Sequence, residues 1–513
     1  MVDHMPALRL ASALALAVLS ATVLVCIGCS GGGVDSDADA GDTQAAVPSQ
    51  GGLRLRLVVA SADLPTWDGE AAKAPTLFRS APGKPLIPLA NDEWSLLPDG
   101  RLRIEALPDA TPTRVVAELR GDDGALLARA ESGAAVVAEG EADREVSALW
   151  LRVGALTTAQ DVDGVPLLAD VAAGASVTPL GNGRWAVVGG APGLAPCAGG
   201  VPTTVRGEAA IVDVSGLAVE AKVPLVDSRS HHGAALVPGG KVALLGGYVA
   251  KGGAVGPSAG VELLVPYAGT SAGATVELGR ARARFGLAGD GERWLLAGGD
   301  EAGAPSVELW SLATGTVTTA SLSVRRLDPA VALAQEARSG KLLLVVAGGV
   351  DASGAPHANG ELFEVLGDAL VPFGAFPTLN PALLDGSWVA TNPPLAVWRF
   401  GGQEVGGASS AAVARLGLTE SLASWKPQAD LSAARGCAAA GLVDGEVWLI
   451  GGRDGTTPSA AWDRVVVGAE ASAGTLSAAR VGGVVLAGPG PTLLLAGGRD
   501  AAGQALGLQL LLP

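Results

Sequence analysis

The chain has 513 residues, of which 49% are hydrophobic and only 4% aromatic, and it contains 74 glycines and 32 prolines. This size allows large cores and more than one domain, and short Val/Leu runs separated by turn residues favour an all-β chain. The net charge of -16 argues against nucleic acid or an anionic lipid surface as a partner, and four cysteines are too few for a disulfide scaffold.

Residues 1–29 have the features of a secretory signal, with Arg9, a 16-residue apolar run and then small residues. The run ends in Gly28-Cys29, which resembles the lipobox of bacterial lipoproteins, although Cys26 stands where that family usually has leucine. The resemblance implies lipidation at Cys29. We therefore expect a lipid-anchored protein of the bacterial cell envelope, at the outer membrane because Ser30 fits that sorting pattern. An uncleaved anchor and ordinary export are the alternatives.

Two segments precede the repeats described below. Residues 30–50 are rich in Gly, Ser and Asp, which predicts a flexible linker with nothing to bury. Residues 51–155 hold short alternating stretches such as LRLRLVVA and REVSALWLRVGA, together with a DDG turn. These stretches predict a small β-sandwich domain.

A glycine pair at the end of an apolar run recurs seven times in the rest of the chain. The pairs are Gly189-Gly190, Gly246-Gly247, Gly298-Gly299, Gly348-Gly349, Gly401-Gly402, Gly451-Gly452 and Gly497-Gly498. They are spaced by about fifty residues. A period of this length, with several strands in each unit, is typical of a β-propeller. We therefore predict seven blades over residues 156–513, with the glycines crowded near the axis.

Each unit has further landmarks around its glycine pair. In SAARGCAAAGLVDGEVWLIGG, Arg435 opens the first strand and a DG turn leads into the second. In three units a glutamate leads the third strand: Glu262, Glu308 and Glu361. This pattern resembles the kelch repeat family, which implies a kelch-like β-propeller of the galactose oxidase-like superfamily. After Gly498 the last unit lacks a fourth strand, and VPLLADV (165–171) is predicted to supply it and close the ring.

Topology places the residues before each first strand and after each second strand at one end of the ring. The rim residues predicted to bind a ligand are Arg229, His232, Arg284, Asp300, Arg326, Arg435, Arg453, Asp454, Arg480, Arg499 and Asp500. Guanidinium groups around a mouth could hold carboxylates or sugar hydroxyls. The alternative is that each arginine pairs with an acid of a neighbouring blade and only ties the ring together.

Cys197 lies in a long loop on the same rim, and Cys437 opens the first strand of the sixth unit. In an oxidising compartment these two residues are predicted to form a disulfide, the alternative being two buried thiols.

Enzymatic signatures are sparse. The copper oxidases that resemble galactose oxidase need two histidines, two tyrosines and a crosslinked cysteine, whereas after export this chain offers Tyr248, Tyr267, His231, His232 and His357. We expect neither a metal nor another cofactor. The predicted function is non-catalytic binding of a protein or glycan, with the membrane contacted only through the anchor. A carbohydrate-active enzyme with acids at the central mouth is the alternative, and a purely structural envelope protein is a third.

Overall fold

The structure, a computed structural model, describes residues 52–59 and most of 75–513. The gaps within that span are residues 82–83, 99–100, 105–110, 122, 138–142, 196, 198, 275, 302, 312–313, 336–339, 376, 392–395, 418–424 and 467–470. The signal, the lipidation site Cys29 and the linker lie outside the described residues.

The first described strands form one eight-stranded sheet, named sheet N, in the order β3-β2-β6-β7-β8-β1-β5-β4. Its strands are β1 Leu53–Val59, β2 Thr76–Ser80, β3 Ile87–Pro88, β4 Trp94–Leu96, β5 Leu102–Ile104, β6 Arg114–Arg120, β7 Leu126–Glu131 and β8 Arg144–Arg152. Leu77 of β2 and Ile104 of β5 belong to the same buried cluster although their strands are far apart in the sheet. The expected sandwich is therefore built from one hydrogen-bonded sheet that curls over its own core, rather than from two separate sheets.

Seven antiparallel sheets follow within the described residues, one for each glycine pair. Six of them have four strands, and the sixth in chain order has six, because two short strands extend its four-stranded core. Sheets I and II contain β10 Ser176–Gly181, β11 Arg184–Val188, β12 Glu208–Asp213 and β13 Ala218–Pro224, then β15 Gly233–Val237, β16 Lys241–Leu245, β19 Val261–Val265 and β20 Thr270–Gly273. Sheets III and IV contain β22 Gly286–Gly289, β23 Arg293–Ala297, β25 Ser306–Ser311 and β26 Thr316–Ser321, then β27 Ala330–Gln335, β28 Leu342–Ala347, β29 Gly360–Leu366 and β30 Ala369–Ala375.

The remaining three sheets complete the set. Sheets V and VI contain β31 Ser387–Thr391, β32 Ala396–Gln403, β33 Ser409–Gly417 and β34 Lys426–Pro427, then β35 Ala439–Val443, β36 Glu446–Ile450, β38 Thr457–Val466 and β39 Ser472–Val481. Sheet VII contains β40 Val484–Ala487, β41 Leu493–Ala496, β43 Leu508–Leu511 and β9 Leu156–Thr158.

Short pieces connect these sheets. They are β14 Arg229–Ser230, β17 Tyr248–Lys251, β18 Ala254–Pro257, the 3₁₀ turn Pro266–Ala268, β21 Arg282–Ala283, β24 Asp300–Glu301, β37 Arg453–Asp454 and β42 Arg499–Asp500. Within the described part of the chain, no helix is long and apolar enough to cross a lipid bilayer.

Apolar side chains join each of sheets I–VII to the next. One buried cluster combines Val188 of sheet I with Leu244 of sheet II, and another combines Phe400 of sheet V with Leu449 of sheet VI. The clusters between sheets II and III, III and IV, IV and V, and VI and VII follow the same rule. The last cluster returns from Leu494 of sheet VII to sheet I, so the sheets surround a common axis. The predicted all-β, propeller-like fold is confirmed.

The ring is closed by a different segment from the one predicted. Strand β9, not residues 165–171, pairs antiparallel with β43, with Leu156 opposite Leu511 and Thr158 opposite Gln509. Residues 165–171 instead turn back, and the Val171 amide donates to Leu506 O. Residues 156–158 and 165–171 both have suitable apolar patterns. Residues 156–158 pair with β43 because they directly continue the chain that leaves β8.

Each glycine pair marks a close backbone approach, as predicted. A Cβ on Gly298 would lie 2.4 Å from Arg326 O, and a Cβ on Gly299 would lie 2.5 Å from Ala283 O. Both residues have positive φ, 66° and 103°. The glycines are therefore structural, because no other residue fits both the space and the conformation.

Sheet N packs against the ring. Leu149 and Leu151 of β8 share a buried cluster with Leu494 and Leu510 of sheet VII, and the Gly154 amide donates to Leu512 O at 2.7 Å. The described residues from 52 onward belong to one compact unit. The boundary at residue 155 between two domains therefore stays a prediction.

Candidate binding site at the central mouth

The arginines that open the repeats are buried between the sheets, not displayed on the rim. Their exposed fractions are at most 1% for Arg229, Arg282, Arg326, Arg435 and Arg480. Four of them donate to the carbonyl of the first glycine in their own repeat, namely Gly246, Gly298, Gly348 and Gly497. These arginines cannot meet a ligand, so four of the predicted rim residues (Arg229, Arg326, Arg435 and Arg480) are structural ties.

Arg282 shows how such a tie works. Its guanidinium donates to Gly298 O at 2.9 Å and to Glu308 Oε1 at 2.6 Å, and both side chains of this ion pair are fully buried. Its own carbonyl accepts from the amide of Gly247, the second glycine of the preceding repeat, at 2.9 Å. One residue therefore joins two consecutive repeats. The predicted alternative, a tie through an acid of a neighbouring blade, differs from what is seen. The acids paired with Arg229, Arg282, Arg326 and Arg435 belong to the same repeat as the arginine. Arg480 donates to Gln509 Oε1 instead of to an acid.

Two residues after each of these arginines the backbone turns toward the axis. The residues at this position are His231, Arg284, Asp328, Cys437 and Gly482, joined by Gly174 in the first repeat and Asp385 in the fifth, and all seven have φ between 50° and 69°. We call these seven residues the mouth ring. A left-handed conformation is costly for residues other than glycine, and clusters of such residues are typical of functional sites.

Backbone hydrogen bonds link the members of the mouth ring from repeat to repeat. His231 N donates to Gly174 O, Arg284 N to His231 O and Asp328 N to Arg284 O, over 2.7–3.1 Å. Cys437 N donates to Asp385 O and Gly482 N to Cys437 O, at 2.8 and 2.9 Å. Equivalent residues of successive sheets come this close only near the axis, so the mouth ring surrounds the central opening.

The charged side chains of the mouth ring are paired across neighbouring repeats. Arg284, 9% exposed, donates through Nε to Asp328 Oδ2 at 3.0 Å, and Asp328 presents more than half of its side chain to solvent. On the other side of the opening, Arg453 Nη2 donates to Asp385 Oδ2 at 2.8 Å. The mouth therefore offers fixed, alternating charge, which suits polar recognition.

Tyr248 and His231 form the partly buried side of the same site. The Tyr248 hydroxyl donates to Asp300 Oδ2 at 3.0 Å, and burial together with the Asp300 charge raises the pKa of Tyr248 above its ordinary value. The His231 ring meets Tyr248 edge-on at 5.8 Å. Burial lowers the pKa of His231, with Arg284 acting in the same direction and Asp328 opposing it. His231 is therefore held toward its neutral form.

The loop of residues 191–207 extends across this opening. Cys197 and Cys437 form a disulfide with a Cα–Cα distance of 6.0 Å, which fixes the loop from sheet I to the entrance of sheet VI. Arg499 of sheet VII donates to Leu194 O at 3.3 Å, and the position of a Cβ on Gly199 would be 3.9 Å from Arg284 Nη1. The loop thus reaches from one side of the mouth to the other.

Of the predicted rim residues, Arg284 and Asp300 lie close to each other beside Tyr248, and Arg453 lies on the other side of the opening beside Asp385. His232 is instead buried, with Nε2 2.8 Å from Ser176 Oγ. Asp500 uses Oδ1 to accept from the amides of its own loop, and Arg499 donates to Gly503 O in that loop. Asp454 is exposed beside the mouth.

Sequence reasoning missed His231, Asp328, Asp385 and Tyr248 as members of the site. The signal was present for His231 and Asp328, because each stands two residues after the arginine that opens its repeat, whereas Leu383 occupies that arginine's position before Asp385. Arg229-x-His231 and Arg326-x-Asp328 align with Arg282-x-Arg284 and Arg435-x-Cys437. When the repeats are aligned on the arginine that is buried, the structural arginine and the mouth-ring residue two positions later fall into separate columns.

The likeness to known proteins lies in the fold. No protein-family model matches the chain, and no curated protein has a similar sequence. One similar solved structure is described as a novel fungal alcohol oxidase with catalytic diversity among the AA5 family, in complex with copper. The two sequences are 16% identical, and the match covers 67% of this chain and 75% of that chain with a TM-score of 0.50. This likeness agrees with the β-propeller fold described above. A second structure, described as that of YjhT, is 12% identical over 67% of this propeller chain and 96% of its own length, with a TM-score of 0.38.

The mouth of this propeller does not fit a copper centre. Cys197 and Cys437 are bonded to each other, and Tyr267 lies in the 3₁₀ turn Pro266–Ala268 under Arg184, 64% exposed. His232 and His357 hydrogen-bond to Ser176 and to Arg325 O, away from His231. Among the described residues, no three His, Cys, Asp or Glu side chains converge on a point that could hold a metal ion.

Proposed function

We propose that this protein is an exported, lipid-anchored component of the bacterial cell envelope whose propeller mouth binds a protein or glycan without catalysis. The carrying observation is the disulfide-held loop of residues 191–207 over paired charges. A catalytic mouth needs room for substrate between its acids, whereas this mouth presents a fixed polar surface. Preorganised polar groups favour binding because little entropy is lost when a partner docks.

The alternative, a carbohydrate-active enzyme, draws on one specific pair of acids. Asp300 and Asp328 both face the mouth, Asp300 under the Tyr248 hydroxyl and Asp328 largely exposed. Two carboxylates at a common opening are the minimum that glycoside hydrolysis requires. Their side chains are engaged by Tyr248 and Arg284, which favours the binding role.

A glycan array with residues 51–513, followed by mass spectrometry of the bound glycans, distinguishes the two functions. If the protein retains intact glycans, the binding function is supported. If it retains no glycan but captures an envelope protein, the binding function is supported with a protein as the partner. Release of shortened glycans that Asp300→Asn or Asp328→Asn abolishes would establish the enzyme. Arg453→Ala tests the mouth as a binding surface, because both partners of the Arg453–Asp385 ion pair are partly exposed and its removal leaves no fully buried charge unpaired.

The membrane attachment depends on Cys29. In cells, Cys29→Ser is expected to move the protein from the membrane fraction to the soluble fraction. A protein that stays in the membrane after this change would contradict the lipid anchor.

A further inference from the structure

A cavity of about 360 Å³ lies between sheets VI and VII. Strand β36 runs from Glu446 to Ile450 and ends at the glycine pair of the mouth, and the cavity is lined by Asp444 and Glu446 at its other end. The cavity therefore opens on the face of the ring opposite the mouth. Its volume lies in the ~300–1,000 Å³ range of small-molecule sites.

Two tryptophans form the apolar wall of this cavity. The rings of Trp448 and Trp462 are 5.5 Å apart at 39°, and Trp448 is only 5% exposed. Trp462 rests on the backbone of Gly474, where a Cβ would lie 2.6 Å from its Cζ2. Because any side chain at 474 would displace the ring, the glycine keeps Trp462 in a fixed position beside the cavity.

Hydrogen-bonding groups stand next to these rings. Arg464 donates through Nε to Glu446 Oε2 at 2.6 Å and through Nη2 to the other oxygen, and its Cζ lies 5.7 Å from the Trp448 ring centre. Asp444 and Ser472 are exposed at the edge.

We propose that this cavity is a binding site for a neutral saccharide. A pyranose has an apolar face of C–H groups, which packs on an aromatic ring, and a rim of hydroxyls that both donate and accept. Trp462 supplies the flat surface, and the Arg464–Glu446 pair supplies a donor and an acceptor side by side. The acids Asp444 and Glu446 outnumber Arg464, and the chain carries a net charge of -16, so anionic sugars are disfavoured.

The proposal does not depend on the mouth, because the two sites lie at opposite ends of the strands. Isothermal titration of the protein (residues 51–513) with maltohexaose, cellohexaose, chitohexaose and a β-1,3-glucan hexaose tests it directly. We expect saturable binding of at least one of these, a Kd raised at least about tenfold by Trp462→Ala, and a smaller increase for Glu446→Gln, which preserves the packing.

Tyr267→Ala is the matched control, because Tyr267 is an exposed aromatic residue beneath an arginine. It follows β19 of sheet II, at the same end of the ring as the cavity. The substitution should leave the Kd unchanged, and thermal melts verify that each variant is folded. The proposal is overturned if none of the four saccharides binds, or if Trp462→Ala and Glu446→Gln bind as well as the parent.

Discussion

Arg282 and Arg284 are two residues apart and have different roles. Arg282 is fully buried against Glu308 and the glycine of its repeat, whereas Arg284 lies at the mouth and pairs with the exposed Asp328. The sequence shows three arginines alternating with alanine, RARARFG, and does not distinguish Arg282 from Arg284. What separates them is the backbone, which enters the left-handed region at Arg284 with φ 56°.

Substitution of a buried arginine that opens a repeat is predicted to lower the free energy of unfolding greatly. Arg282→Ala would leave Glu308 buried without its partner, which typically costs about 3–5 kcal/mol in the free energy of unfolding. Arg184→Ala, which removes a half-exposed pair with Glu220, should cost under about 1 kcal/mol. Urea unfolding followed by tryptophan fluorescence compares them. Equal effects of the two substitutions would contradict the structural role of Arg282.

His232 predicts a pH dependence of stability. Burial, with the charge of Arg229 second, lowers its pKa to about 3 from the ordinary 6.5. Below about pH 6.5 the unfolded chain therefore binds a proton at His232, whereas the folded chain binds it only near pH 3. The free energy of unfolding falls as the pH drops through this window. The slope reaches about 1.4 kcal/mol per pH unit.

His232→Asn should flatten that slope between pH 6 and 4, while His357→Gln, at a site outside the sheets, should not. Unfolding free energies measured across this window provide the test. An unchanged slope in His232→Asn would assign the acid sensitivity to other groups.

At the scale of elements, the repeats were predictable because their requirements are local. Apolar strands ending in Gly-Gly identify the second strand of every sheet, and crowding at the axis explains both glycines. The closing strand was not predictable in the same way. Residues 156–158 and 165–171 are both apolar enough to pair with β43, and only the path of the chain after β8 selects the first.

The packing near the closure of the ring can be tested by adding one methyl group at Gly507. A Cβ on Gly507 would lie 1.9 Å from Leu168 O, so Gly507→Ala must displace the backbone where the two ends of the chain meet. We expect a marked fall in melting temperature. Gly256→Ala, where nothing lies within 4 Å of the added carbon, is the matched control and should leave the melting temperature almost unchanged.

The loop of residues 191–207 predicts a redox-dependent accessibility. Replacing Cys197 and Cys437 together by serine releases the loop from sheet VI, and trypsin should then cut after Arg206 about tenfold faster, because local opening costs less. The cleavage rate after Lys251, which is exposed in the turn between β17 and β18, serves as the internal control. Identical digestion of the parent and the double variant would show that the loop is held without the disulfide.

For the whole molecule, composition and periodicity predicted an all-β chain with a propeller, and the structure agrees. The candidate site was less predictable, because it depends on which residues turn inward at the axis. Asp328 and Asp385 look like ordinary loop acids in the sequence, and only the stacking of the repeats places them around one opening. Physical proximity across repeats leaves no local signature in the chain.

The most direct test of the mouth as a binding surface is site-specific photo-crosslinking in cells. Val405, 77% exposed in the loop between β32 and β33, lies on the mouth side, whereas Tyr267 lies on the opposite face. With a photo-crosslinking phenylalanine at position 405, we predict a discrete adduct with an envelope protein or glycan, lost when Asp328→Lys is added and absent with the probe at position 267. No adduct at 405, or the same adduct from both positions, would contradict the account.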